Sequence, residues 1–295
     1  MNSLLDAKTI ARAEALGLKA RAMVEGLRVG DHKSPYRGFS VEFSQHREYL
    51  PGDDLRRIDW KGYARSDRYM IKEFEQDTNF VGHVVLDASH SMLYGEGQAN
   101  KLFCAKLLAA ALSYLIVRQR DSVALNIFDD GWRTRLPAGS QPGHLVNILN
   151  ALEATAPQAM TAIGPLLHEL AKEIRRRGLV FLISDCLEDV DMLLSGLRHL
   201  RFGGHEVVVF HVLHNDELQL PFRGNIRFEG LEGEDDLKTR PHLLRPAYLR
   251  ALQSYLKHLQ AGCVARHCDH VLMDTSRPLA KTLSEYLARR LRARF

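Results

Sequence analysis

From Phe80 onward the chain alternates short apolar runs with longer stretches of helical periodicity. The runs Gly82 to Asp87, Val123 to Phe128, Leu179 to Asp185, Glu206 to Leu213 and His270 to Asp274 are rich in branched aliphatic residues and read as strands. Apolar residues recur at helical spacing over Asn100 to Arg118, His144 to Ala154, Gly164 to Arg177, Val190 to Phe202, Ala247 to Cys268 and Pro278 to Arg292. Strands alternating with helices in this way predict an α/β domain, a doubly wound and mostly parallel sheet with helices on both faces. Asp129-Asp130-Gly131 ahead of Trp132 to Leu136 reads as a hairpin turn that adds a short antiparallel edge strand. A second hairpin is expected from Asn225 to Glu229 and Asp236 to Thr239, parted by Glu232-Gly233-Glu234. The chain shows no internal repeat, low-complexity tract or obvious linker.

The first of these strands ends in the chain's most informative local pattern. After Val84-Val85-Leu86 come Asp87, Ser89 and Ser91, three oxygen side chains on alternate positions. In an open α/β sheet the loops at the carboxyl ends of the strands are where ligands bind. One carboxylate and two hydroxyls suit a hard cation such as Mg²⁺, with Mn²⁺ or Ca²⁺ as alternatives, better than zinc. Three ligands do not close an octahedron, and two more oxygens stand at suitable breaks. Thr161 precedes a helix-periodic segment, and Asp185 ends the apolar run Leu179 to Ser184. The alternative is that Ser89 and Ser91 cap the next helix and that Asp185 is a turn residue.

In order and in context, Asp87, Ser89, Ser91, Thr161 and Asp185 resemble the metal-ion-dependent adhesion site of von Willebrand factor A (vWA) domains. In that family the Asp and two Ser lie on a first loop, the Thr on a second and the last Asp on a third. The antiparallel edge strand also fits that family's mixed sheet.

Residues 1–79 do not belong to such a fold, whereas residues 80–295 can hold it entirely. A helix-like stretch from Leu4 to Leu27 is followed by Ser34-Pro35-Tyr36-Arg37-Gly38 and a dense signature that includes Arg47, Tyr49, Asp53, Asp54, Arg56, Asp59, Trp60 and Arg65. Interleaved opposite charges beside two large aromatics predict a partly buried network of Arg-carboxylate hydrogen bonds in a small β module. The turn is made by Pro51-Gly52. Its functional alternative is a partner surface. This string resembles a bacterial family known only as domain of unknown function fifty-eight, whose genes typically lie beside MoxR-type AAA+ ATPases. The resemblance covers nearly the whole chain. It implies a vWA-like metal-binding protein that acts with such an ATPase and says little about chemistry.

Composition narrows the classes without choosing among them. A chain of 295 residues with 45% hydrophobic content can bury a full core, and a formal net charge of +4 does not by itself point to nucleic acid or membrane. The amino terminus lacks the apolar segment of a signal peptide, and Leu107 to Val117 is too short to span a bilayer, so a cytoplasmic protein is expected. Cys104, Cys186, Cys263 and Cys268 are scattered and do not form a disulfide pattern. Cys263, His267, Cys268 and His270 raise zinc, but Cys263 continues the periodicity of Leu252, Leu256 and Leu259 and points to a core.

These observations favour a non-catalytic, metal-dependent binding module or adaptor for a client that presents an acidic residue to the ion. A phosphatase nucleophile at Asp87 would want a carboxylic acid two residues on, where Ser89 stands, and a hydroxyl cannot take that role near neutral pH. No nucleophile elbow, phosphate-binding loop or zinc-protease motif is present. Metal-assisted hydrolysis of the phosphatase or nuclease type is the second reading. Nucleic-acid binding through Arg175 to Arg177 and Arg289, Arg290, Arg292 and Arg294 is the third, without a recognised motif beside them.

Overall fold

The apolar runs lie side by side in the computed structural model, which describes residues 42–48, 59–60, 63, 69–75, 81–157, 159–230 and 236–292. These fall into two compact units, residues 31–80 and the remainder.

In the smaller unit, strands β1 (Glu42–Glu48) and β2 (Met70–Glu75) pair antiparallel, with an irregularity between Phe43 and Gln45. Arg47 sits on β1 opposite Ile71. Asp59 is buried, and its amide donates to the Met70 carbonyl at 2.8 Å. Tyr63 and Tyr69 stack with centroids 4.5 Å apart, and Trp60, which is 59% exposed, meets Tyr63 edge-on. Of the residues expected in the network, Asp59 is buried and Trp60 stands in solvent. Tyr49, Asp53, Asp54, Arg56 and Arg65 lie outside the described residues, as does the helix expected over Leu4 to Leu27.

The larger unit is built on a six-stranded sheet. Its strands are β3 (Val81–Asp87), β4 (Ser122–Phe128), β5 (Trp132–Gly139), β6 (Leu179–Ser184), β7 (Glu206–Leu213) and β10 (Asp269–Asp274), in the spatial order β10-β7-β6-β3-β4-β5. All neighbours are parallel except β5, which runs antiparallel to β4. The predicted edge strand is thus present and continues past Leu136 to Gly139. A separate hairpin pairs β8 (Ile226–Phe228) with β9 (Leu237–Thr239), also as expected. Strands covered on both faces read as unbroken apolar runs, and every residue of β6 is buried.

The helices are α1 (Lys101–Arg118), α2 (Pro142–Ala154), α3 (Ile163–Glu173), α4 (Val190–Phe202), α5 (Asn215–Gln219), α6 (Pro241–Ala265) and α7 (Leu279–Arg292). Two of them announce their starts locally. Asn100 caps α1 by accepting from the Phe103 amide, and Asp189 caps α4 by accepting from the Asp191 and Met192 amides. α3 stops at Glu173, short of the expected Arg177, and three consecutive arginines then lead into the start of β6. α6 begins at Pro241 instead of Ala247 and carries Pro246 within it. Its first turns are held from outside: Arg245 donates to the Leu220 and Phe222 carbonyls, and Tyr248 donates to the Glu217 carbonyl at 2.7 Å.

The chain builds outward from β3 through β4 to β5, then returns to build from β6 through β7 to β10 on the other side. The fold is the vWA-like, doubly wound α/β class expected from the sequence. β3 and β6 lie side by side at the point where the winding reverses, and the crevice above their carboxyl ends is the binding position of such sheets. No described helix is long and apolar enough to cross a membrane.

Candidate metal centre

Asp87 is the last residue of β3 and is fully buried. Beyond it the Ala88 amide donates to the Phe128 carbonyl at 2.7 Å, which holds the loop against the end of β4. Ser89 then turns the chain, its amide donating to Asp87 Oδ1 at 2.9 Å. The chain enters a short 3₁₀ turn at His90–Leu93, where Ser91 is buried. The Ser89 and Ser91 hydroxyls lie 3.0 Å apart. Ser89 makes no side-chain cap on this turn, and α1 is capped by Asn100 instead. Helix capping therefore does not account for Ser89.

Thr161 arrives on the loop between α2 and α3. That loop is pinned to its neighbours by the His90 amide on the Ala159 carbonyl at 2.9 Å and the Ala162 amide on the Asp129 carbonyl at 3.1 Å. These contacts bring Thr161 Oγ1 to 3.4 Å from Asp87 Oδ2. From the end of β6, Ser184 donates its hydroxyl to the same oxygen at 2.6 Å and accepts the Cys186 amide at 2.8 Å. Asp185 follows, fully buried.

All five predicted residues thus reach the crevice, but their roles divide. Asp87, Ser89, Ser91 and Thr161 form one cluster of oxygens. Asp185 is held by other partners: its Oδ2 accepts Lys101 Nζ at 2.7 Å and its Oδ1 accepts the Leu187 amide at 3.3 Å. Lys101 has no exposed side-chain surface and also donates to Glu217 Oε1 at 2.8 Å. The other Glu217 oxygen closes a capping box on α5, accepting the His214 amide at 2.6 Å. Lys101, Ser184 and Glu217 were not among the expected residues. One local signal existed for Lys101, because a cation in the first turn of an apolar helix opposes the helix dipole and needs a specific partner.

The electrostatics follow the same division. Burial lowers the pKa of the Lys101 ammonium, the Asp185 and Glu217 carboxylates raise it, and the net shift is upward, so this group stays charged. Asp87 has no such partner: among the described residues no cationic side chain pairs with it, and its acceptors meet only amide and hydroxyl donors. Burial first and the Asp185 charge second push its carboxyl from 3.8 up to about 7, against the hydrogen bonds from Ser184 and Ser89.

A buried, uncompensated carboxylate beside hydroxyls from two loops is a donor set that fits a small hard cation retaining several waters. Asp87, Ser89, Ser91 and Thr161 would hold it directly, and Asp185, already engaged on both oxygens, fits a water-mediated role. Among the described residues no three His, Cys, Asp or Glu side chains are grouped to hold a metal. Cys263 and Cys268 instead pack in the hydrophobic core with Leu194 and Leu259.

Residues 45–256 match the family described as protein of unknown function DUF58. Uncharacterized proteins of Mycobacterium bovis and Mycobacterium tuberculosis are each 30% identical over 231 residues, covering 77% of this chain and 72% of theirs. Among solved structures, the conserved hypothetical protein BatB from Bacteroides thetaiotaomicron is 19% identical with a TM-score of 0.46, over 71% of this chain and 98% of that one. An aerotolerance-related membrane protein from Bacteroides fragilis gives 18%, 0.48, 71% and 97%. The SpRpn10 VWA domain gives 15%, 0.42, 69% and 93%. The fold assignment rests on the strand order, not on these likenesses.

Proposed function

The chain belongs to the DUF58 family of proteins of unknown function, and we propose that it is a non-catalytic, divalent-metal-dependent protein-binding module. The observation that carries this reading is the fully buried Asp87 carboxylate, met by the hydroxyls of Thr161 and Ser184 and, among the described residues, paired with no cationic side chain. Asp87 supplies charge to the site, while Ser89, Ser91 and Thr161 supply neutral oxygens. Bound Mg²⁺, with Mn²⁺ or Ca²⁺ as substitutes, would offer an open position to a carboxylate on a partner. Lys101 and the Leu187 amide hold the Asp185 carboxylate at the same crevice. An open apolar cavity of about 500 Å³, lined in part by Tyr94, Glu217, Phe222 and Tyr248, lies on the far side of Glu217 and suits an apolar side chain of the same partner. The family resemblance suggests a MoxR-type AAA+ ATPase, or a client that it remodels, as that partner.

Calorimetric titration of the full chain with Mg²⁺ and Mn²⁺ tests the site. Binding is expected, and Asp87→Ala should abolish it while the far-ultraviolet spectrum is retained. Equal binding by both proteins would remove the assignment. The loaded protein should turn over no generic phosphatase, nuclease or peptidase substrate. Turnover that disappears in Asp87→Ala would replace the binding module by a metal-assisted hydrolase.

A further inference from the structure

At the end of the sheet opposite the candidate metal centre, the helices leave their carboxyl termini and the strands begin. α4 closes there on Phe202, followed by Gly203 and a left-handed Gly204 that lead to β7. Phe202 is 90% exposed, more than any other large hydrophobic residue described. Arg175, Arg176 and Arg177, all exposed, lead to β6 at the same level, where the Glu206 amide donates to the Gly178 carbonyl at 2.9 Å. The Arg177 side chain packs against Gly204, with Nε 2.9 Å from where a Cβ would stand there. Arg201 and Arg289 line a neighbouring cavity of about 400 Å³ with Arg290, which is the partner of both acidic residues there, Glu206 and Asp269.

Among the described residues Arg290 pairs with both carboxylates, and Arg175, Arg176, Arg177, Arg201 and Arg289 form no ion pair, at the same end of the sheet as an exposed phenyl ring. Arginines at helix carboxyl ends commonly complement the helix dipole. That role gives no reason for a phenylalanine in water at the same end of the sheet.

We infer that this end of the molecule docks on an anionic membrane surface, with Phe202 entering the interfacial layer and the arginines engaging lipid phosphates. An isolated, exposed apolar residue at the end of a helix, with exposed arginines at the same end of the sheet, matches the chemistry of a bilayer interface. A single-stranded nucleic acid would call for a groove with successive stacking residues, and here a single exposed ring stands at the end of α4. Because the surface and the candidate metal centre lie at opposite ends of parallel strands, a docked molecule presents the metal centre away from the bilayer. The inference does not depend on the metal.

The test is co-sedimentation of the full chain with vesicles of phosphatidylcholine alone and of phosphatidylcholine mixed with phosphatidylglycerol. Binding is expected only to the mixture, weakened by high salt and unchanged by chelator. Phe202→Ala should weaken it roughly ten-fold, from the apolar surface lost. Arg175→Ala combined with Arg176→Ala should weaken it about twenty-five-fold, about five-fold per charge. These side chains are exposed, so unchanged melting curves would accompany the losses. Several results would overturn the inference: no binding to anionic vesicles, equal binding to both kinds, full binding by the variants, loss of binding with chelator, or tighter Phe202-dependent retention by a DNA or RNA oligonucleotide.

Discussion

Asp87 is costly to the fold that contains it. Burial and the neighbouring Asp185 charge push its carboxyl from 3.8 up to about 7. The folded state then binds more protons than the unfolded state between those values, so its stability falls as pH rises through that window and stays reduced above it. Melting of metal-free protein should therefore decline from about pH 4 to about pH 7, and Asp87→Asn should flatten that decline and melt higher than the native protein at alkaline pH. A lower melting temperature for Asp87→Asn above neutrality would mean that the charge is compensated in the fold. Lys101 poses the opposite case, because its charge is enclosed but answered. Removing one member of a buried pair typically costs about 3–5 kcal/mol. Lys101→Ala should accordingly lower the unfolding free energy read from chemical denaturation by an amount of that order, and a loss below about 1 kcal/mol would mark the pair as energetically idle. Neither partner of Lys101 was legible beforehand, since Asp185 and Glu217 lie 84 and 116 residues away in the chain.

Among the elements, those with local punctuation were the ones the sequence placed well. α4 and β7 match their predicted bounds, the helix because Asp189 caps it and Gly203 follows, the strand because its apolar run is unbroken. The short α5 and the first turns of α6 were not placed although each carries a local signal, a His214–Glu217 capping box for α5 and Pro241 at the start of α6; Pro246 breaks the helical pattern between Pro241 and Ala247, and the Arg245 contact with the Leu220 carbonyl helps hold those turns. Packing between helices is hidden. α3 and α4 approach so closely that a Cβ on Gly164 would stand 2.9 Å from the Met192 carbonyl oxygen, a backbone atom that cannot swing aside. In an unconstrained helix Gly→Ala stabilises by roughly 0.5–1 kcal/mol. Gly164→Ala should instead destabilise by about 1–3 kcal/mol, the usual cost of overpacking. Chemical denaturation reads the sign, and a stabilised variant would show that the two helices have room to part.

Over the whole molecule, the alternation of apolar runs with helical periodicity was enough to specify the α/β class, because strands buried on both faces must be apolar throughout and crossover helices must bury one face. The oxygen-bearing residues after β3 and β6 were also readable, since a strand end is a local feature and Asp87, Ser89 and Ser91 share one loop. What the sequence could not disclose was which of those oxygens would be left for a ligand. That was decided by tertiary structure: the reversal of winding sets β6 beside β3, so Ser184 reaches Asp87, and α1 delivers Lys101 to Asp185 in the same step. The same winding brings the Arg175–Arg177 cluster, Arg289 and Phe202 to the opposite end, whereas the sequence showed the two basic clusters without their neighbour. Local pattern selects an element through its own periodicity and caps, whereas the charge balance of a site depends on groups far apart in the chain that meet only when the sheet closes.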